Sequence, residues 1–256
     1  MSESVLLYTV DNNVCLLILN RPNKRNALNE QLVQALKDGL DRAAANPEAH
    51  IVGIMARGKD FCAGADIAEL EQLSTAGDEK NLANARLLGE LFIKIRRHPK
   101  PVVSIVKGRA LAGGCGLATA CDIVLARDDC EFGYPEILLG FVPAMVMAIL
   151  RRRIPEARAF ELIANGTRID AAEAERIGLV TRVFPAFTFA ENVKQYLAEL
   201  AKRNPEALTL TKRLLYDQDT MGFEDAIERG AQVNVVARNS DAYREGLRRF
   251  LASEPD

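Results

Sequence analysis

Three short runs, IVGIMA at 51–56, VVSIV at 102–106 and IVLA at 123–126, are apolar at almost every position. A strand with one wet face alternates apolar and polar residues; a strand covered on both faces does not. The runs predict an α/β fold whose sheet is buried on both sides. The stretches between them supply the helices. Residues 29–46 carry Leu32, Ala35, Leu36 and Leu40 at helical spacing behind Asn29 as N-cap, with Asn46-Pro47 closing the element. Residues 81–98 form a second amphipathic helix, stopped by Pro99, and Asp66 caps a short helix that starts at Ile67. The polar stretch 74–81 between them is expected to be mobile, and His98 solvated. Upstream, VLLYTVDNNVCLLILN predicts two strands around Asp11-Asn12-Asn13. Beyond 155 the chain reads as helical, apart from a short strand at 179–184. Its last helices carry Ala226, Val233, Val236, Tyr243, Leu247 and Phe250, which need a partner surface from this chain or another subunit.

Composition removes several classes of function. With 256 residues, 48% of them hydrophobic, the chain builds a full core and is not disordered. A formal net charge of -2, no Trp and five Tyr give no basic surface and few platforms for stacked bases, so nucleic acid is not expected as a partner. The five cysteines, Cys15, Cys62, Cys115, Cys121 and Cys130, form no C-x-x-C pair, and only two His occur. That argues against a metal site and for a reducing compartment. The opening MSESVLLYTVDNN lacks the basic start and apolar run of an export leader, and no stretch is long enough to span a membrane. A cytoplasmic protein without membrane contact is expected.

Two loops share one design. FCAGAD at 61–66 and LAGGCG at 111–116 each follow a buried strand and each open a helix. A helix start exposes unpaired N–H groups and a partial positive charge, and small residues let a ligand oxygen reach them. Together the loops could hold one oxygen that turns negative in a transition state. The same residues serve equally as tight strand-to-helix turns, with glycine present for steric reasons.

RPNKRNAL, FCAGADIAEL, GRALAGGCGLATACDI and FGYPEILLGFVP stand in this order. The order and spacing resemble the enoyl-CoA hydratase/isomerase (crotonase) superfamily over nearly the whole chain, ending near YREGLRRFL. The resemblance implies a spiral of strand-strand-helix units over residues 1–195, and a helical oligomerisation region over 196–256 that builds a trimer or hexamer. It implies an acyl-CoA thioester as ligand, with coenzyme A as part of the substrate and no separate cofactor. By motif position, the Ala65 and Gly113 N–H groups hold the thioester oxygen. Lys24 and Arg25 pair with CoA phosphates, and Ala27 lets the pantetheine lie against the backbone. Asp66 and Ile67 are further substrate-binding positions, and Leu117 either touches the acyl group or belongs to the core.

Hydratases of this family carry a Glu three residues after the oxyanion-hole glycine and another in the PE motif. Here the first position is Gly116, which moves no proton, and the second is Glu136. Glu136 is therefore the expected proton carrier. Its neighbours Ile137, Leu138 and Leu139 are expected to make its surroundings apolar and raise its pKa. A Gly116→Glu change is expected to favour hydration if there is room for it. A second departure lies at 143–148, PAMVMA where many members carry PGAGGT; Ala144 is expected to keep a free N–H near the catalytic water. The expected reaction is hydration of a 2-enoyl-CoA or its reverse. The alternatives are 3-enoyl to 2-enoyl isomerisation, acyl-CoA decarboxylation, or a non-enzymatic CoA- or RNA-binding scaffold. Glu136 argues against the scaffold, and the near-neutral charge against RNA.

Overall fold

Asn12 and Asn13 take φ of +48° and +64°, the left-handed pair of a type I′ turn that Asn tolerates, and they join β1 (Leu6–Asp11) to β2 (Val14–Leu19) in an antiparallel hairpin. The structure, a computed structural model, describes residues 4–253. β2 is followed in the same sheet by β3 (Ile51–Ala56), β4 (Val102–Val106), β6 (Ile123–Arg127) and β9 (Arg182–Phe184), all parallel. Both faces of this sheet are covered. Val52, Ile54, Val102 and Val124 pack into the main core, whereas Ile51, Val103, Ile105 and Leu125 pack against Val193, Leu197 and Ala201. Those last three belong to α8 (Phe189–Ala201), which runs unbroken through 195 and 196, the expected start of the helical region.

A second layer gives the chain its spiral. β5 (Arg109–Leu111) pairs in parallel with β7 (Glu131–Gly133), which pairs antiparallel with β8 (Arg168–Asp170). Single bridges extend the layer from Ala110 to Cys62 and from Ala65 to Leu28. Each turn of chain thus lays down a long strand, a short crossing strand and a helix. The helices are α1 (Glu30–Ala45) after Leu28, α2 (Ile67–Ser74) with α3 (Asp78–Arg97) after Ala65, and α4 (Gly113–Ala120) after β5. Caps sit where the sequence puts them: Asn29 Oδ1 accepts from the Leu32 N–H, and Asp66 Oδ1 from the Ala68 N–H.

Two expectations fail here. The stretch 74–81 is not a loop but the end of α2, a tight corner and the start of α3, and Asn81 Nδ2 donates to the carbonyls of Leu73, Ala76 and Gly77. His98 is buried: Nδ1 accepts from the Lys100 N–H at 3.2 Å, Nε2 donates to the Leu40 carbonyl at 3.1 Å, and burial lowers its pKa.

The rest of the chain comprises α5 (Ala144–Leu150), α6 (Glu156–Asn165), α7 (Ala171–Arg176), α9 (Pro205–Asp217), α10 (Phe223–Arg238) and α11 (Asp241–Ser253). α9 is anchored by Lys212, whose buried ammonium lies 2.8 Å from Asp122. α10 and α11 have no buried residue among those described, and expose Phe223, Ile227, Val236 and Leu247. No helix of the described residues is long and apolar enough to cross a membrane.

Candidate active site

The loops 61–66 and 111–114 are brought together by the second layer. The Cys62 N–H donates to the Arg109 carbonyl at 3.1 Å and the Leu111 N–H to the Cys62 carbonyl at 3.0 Å. The Leu28 N–H donates to the Gly64 carbonyl and the Asp66 N–H to the Leu28 carbonyl, both at 2.8 Å. These bonds use the polar groups on either side of the Ala65 amide, and the Ala65 N–H itself meets no acceptor among the described residues. The N–H of Gly113, first residue of α4, likewise meets none. Gly64, at φ +103°, lets the loops touch: a Cβ there would lie 2.8 Å from the Ala112 Cβ and 3.8 Å from the Gly113 nitrogen. Gly114 does the same from the other side, since a Cβ would fall 2.4 Å from the Cys62 carbonyl oxygen.

Ala112 holds the elbow. Its φ of +52° and ψ of -130° suit glycine rather than alanine, a strain of about 1–3 kcal/mol. The strain is sustained by the Ala112 N–H, which donates to the Gly133 carbonyl at 2.8 Å. The outcome is two unpaired amides on adjoining loops, one of them at a helix start, where a negative oxygen would be stabilised. A small cleft opens at Ala65 between α2 and α3, walled by Leu28, Leu70, Leu73, Leu87 and Leu88.

Glu136 follows Gly133 by three residues, at the start of a 3-10 turn over Pro135–Leu139. Its Oε2 is buried with no hydrogen-bond partner, and burial raises its pKa. The carboxylate is near enough to Cys115 and Tyr134 to oppose ionisation of both. Its apolar setting does not come from its sequence neighbours: the 3-10 turn aims Ile137, Leu138 and Leu139 outward, with Leu139 82% exposed. Tyr134 is core, wholly buried with its hydroxyl 3.3 Å from Thr119 Oγ1. Burial pushes the Cys62 and Cys115 thiols up to about 12, so neither is a nucleophile at neutral pH. Among the described residues no group of three or more His, Cys, Asp or Glu is placed to hold a metal ion.

The sequence profile of the enoyl-CoA hydratase/isomerase family matches residues 9–255. This chain belongs to that family. It is 39% identical over 243 residues to a relative from Thermus thermophilus, covering 95% of this chain and 96% of that one. With the 2,3-dehydroadipyl-CoA hydratase of Escherichia coli K12 it shares 32% over 252 residues, covering 98% and 96%. Among solved structures, an enoyl-CoA hydratase of Mycobacterium smegmatis superposes with a TM-score of 0.94 at 28% identity, covering 99% of both chains. Human enoyl-CoA hydratase domain-containing protein 3 superposes with a TM-score of 0.92 at 26% identity, covering 98% of both. The spiral of strand-strand-helix units is thus the crotonase fold.

Several positions expected from the enoyl-CoA hydratase/isomerase motifs behave differently. Leu117 is wholly buried in the main core and offers no face to a ligand. Asp66 is buried, one oxygen paired with Arg21 at 2.8 Å and the other capping α2, so it is not free for substrate. The Ala144 N–H is engaged by the Val142 carbonyl at 2.8 Å and is not a spare donor for water. Ile67 stands open, 81% exposed, at the head of α2, and Ala27 is buried beside Leu28. Lys24 and Arg25 are exposed. The structure adds two cations to them that the sequence reading missed, Arg57 and Lys59. Asn26 Nδ2 donates to the carbonyls of Arg57 and Asp60 at 2.8 and 2.9 Å, which draws the two basic loops together. No local signal links segments some thirty residues apart.

Gly116 has no room for a carboxylate. A Cβ there would lie 2.3 Å from Val146 Cγ1 and 3.1 Å from Phe92 Cζ, so the side chain of α5 fills the space. Gly116→Glu is therefore expected to lower stability by about 1–3 kcal/mol or more, from overpacking alone. Thermal unfolding of the single variant, and of Gly116→Glu with Val146→Gly, measures this: the second change should recover part of the loss.

Proposed function

We propose that this chain acts on acyl-CoA thioesters as an enoyl-CoA hydratase-like enzyme, through an enolate held by the Ala65 and Gly113 N–H groups. The observation that carries the reading is the presence of two unpartnered amides on adjoining loops, together with a half-buried carboxylate, Glu136, whose Oε2 has no hydrogen-bond partner among the described residues. The thioester carbonyl is directed at the amides, and the acyl group enters the cleft at Ala65. The anionic end of CoA lies by Lys24, Arg25, Arg57 and Lys59, where phosphates find charge-assisted partners.

In hydration of a 2-enoyl-CoA, the oxygen of water bonds to C3 and its proton passes to the Glu136 carboxylate. The electron pair of the double bond moves to the thioester oxygen as the enolate, and Glu136 then gives the proton to C2. Dehydration is the reverse. The names of the relatives favour this reaction. Isomerisation of a 3-enoyl-CoA has an observation of its own in its favour: the Ala144 N–H is engaged and position 116 is closed, leaving few groups to hold a water. There, Glu136 takes a proton from C2 and returns it to C4, with no second acid needed. Mass spectrometry of products from a panel of enoyl-CoAs decides. Hydration adds the mass of water, isomerisation leaves the mass unchanged, and decarboxylation of a carboxylated acyl-CoA loses carbon dioxide. Hydration as the activity is overturned if 3-enoyl and 2-enoyl-CoA interconvert while water adds to none.

The exposed apolar residues of α10 and α11 favour self-association, and the expected assembly is a homotrimer or a hexamer of paired trimers, as the family resemblance implies. Sedimentation at micromolar protein is expected to show one of these; a fully active, stable monomer contradicts the assembly.

A further inference from the structure

We propose that Arg21 is a positioning residue for the oxyanion donor, fixing the Ala65 N–H through Asp66 and the Ala27 carbonyl. The inference rests on the role given to Ala65 above. Ala65 lies outside any helix or extended strand, so its orientation depends on its neighbours. Leu28 bonds to both flanking peptide groups, yet the pairing of Leu28 with Ala65 is a single bridge rather than a ladder. A single bridge is only as rigid as what holds its two sides.

Arg21 holds both. Its Nη2 donates to Asp66 Oδ2 at 2.8 Å, and its Nη1 donates to the Ala27 carbonyl. One guanidinium thus ties the residue before Leu28 to the residue after Ala65 and closes a ring around the amide. The pair is largely shielded, with side chains 14% and 12% exposed. Arg21 is itself fixed: its N–H donates to Asn26 Oδ1 at 2.9 Å, and its carbonyl accepts from the Lys24 and Asn26 amides, both at 2.9 Å. The hydrogen bond from Arg21 is the main cause that holds the Asp66 carboxyl below the usual range. A planar fork bonds two acceptors in set directions at once, which the ammonium of lysine cannot reproduce. Small displacements of a donor in such a site lower the rate of the chemical step while remote binding persists.

Arg21→Lys keeps the charge and removes the fork. The kcat is expected to fall about 10- to 100-fold, with KM for acyl-CoA changed by less than about threefold. A bound 3-ketoacyl-CoA gives a readout that loss of packing does not move. Its enolate absorbs in the near ultraviolet, and a working oxyanion hole lowers the pH at which the bound ligand ionises. Arg21→Lys is expected to shrink that shift. Arg109→Lys is the control: it breaks the neighbouring pair with Asp60, whose Oδ1 lies 2.8 Å from Nε. It should lower the thermal midpoint to a similar degree and leave the ligand's ionisation alone. Should Arg21→Lys fold poorly, Asp66→Asn, which still caps α2, is expected to show the same loss in smaller measure. The proposal is overturned if Arg21→Lys ionises the ligand as wild type does, or if Arg109→Lys loses as much. A wild-type protein that never lowers the ligand's ionisation overturns the role of Ala65, and the proposal with it.

Discussion

Glu136→Gln is expected to lose turnover by about two to four powers of ten while still binding acyl-CoA, and to be more stable than wild type at neutral pH. The first effect follows from removing the proposed proton carrier and keeping its shape. The second follows from burial, which holds the native Glu136 carboxyl above its ordinary pKa of 4.5. Between that value and the raised native one, the native state keeps a proton that the unfolded chain has released. Stability therefore falls as pH rises through this window, and the loss is complete above the native value. Glutamine carries no such loss. The thermal midpoint of Glu136→Gln should exceed wild type at pH 8, with the gap closing as the pH is brought toward 4. Wild-type turnover, wherever the carboxylate is the base, should fall on the acid side of the same raised pKa. A variant as active as wild type removes Glu136 from the chemistry. A variant equally stable at every pH removes the claim that its carboxylate is held in a costly place.

Gly113→Pro is expected to lower turnover at least about a hundredfold, the scale of one lost oxyanion donor. Proline is tolerated at the first position of a helix, so α4 itself should survive. It removes the free N–H, and its ring opposes the unusual conformation of Ala112 before it. Gly113→Ala is the companion. A Cβ at 113 meets nothing nearer than Leu28 Cδ1 and Leu88 Cδ2, both at 3.7 Å, so this variant keeps the N–H and should fold like wild type. Circular dichroism and thermal unfolding report the fold, and initial rates report the site. Normal turnover in a folded Gly113→Pro protein would mean that the Gly113 N–H does not hold the thioester oxygen.

What the sequence reveals, and where it stops, follows from the range of the interactions involved. The hairpin at Asn12-Asn13, the Asn29 cap and the Asp66 cap are local devices within a few residues of chain, and each is where its signal stands. The runs 51–56, 102–106 and 123–126 are apolar on both faces because two separate clusters cover them. β5 and β8 leave no such trace: three residues are too few to show a period, and both form only because β7 lies between them. Leu117 escapes prediction for a related reason. Helix α4 is apolar all round, so no periodicity tells which side chain faces the ligand and which the core. The fate of the Ala144 amide is decided by a backbone turn to Val142, and the room at Gly116 by Val146 from another helix. His98 looks solvated beside Pro99, and it is the distant Leu40 carbonyl that draws it inward. Glu136, Ala65 and Gly113 stand out as candidates because the motifs that hold them keep order and spacing. Arg21, Arg57 and Lys59 do not, since their partners lie in other segments.

The claim at the centre of this account is that Glu136 alone moves the proton on C2 of a thioester whose oxygen rests on the Ala65 and Gly113 amides. Deuterium exchange tests it without depending on whether water is added. A saturated acyl-CoA is incubated in heavy water with the wild-type protein, with Glu136→Gln and with Gly113→Pro, and label at C2 is followed by mass spectrometry. The wild-type protein should wash deuterium into C2. Glu136→Gln should show almost none although it binds the ligand, and Gly113→Pro should be slowed by about a hundredfold or more. Exchange by Glu136→Gln at the wild-type rate would contradict the account.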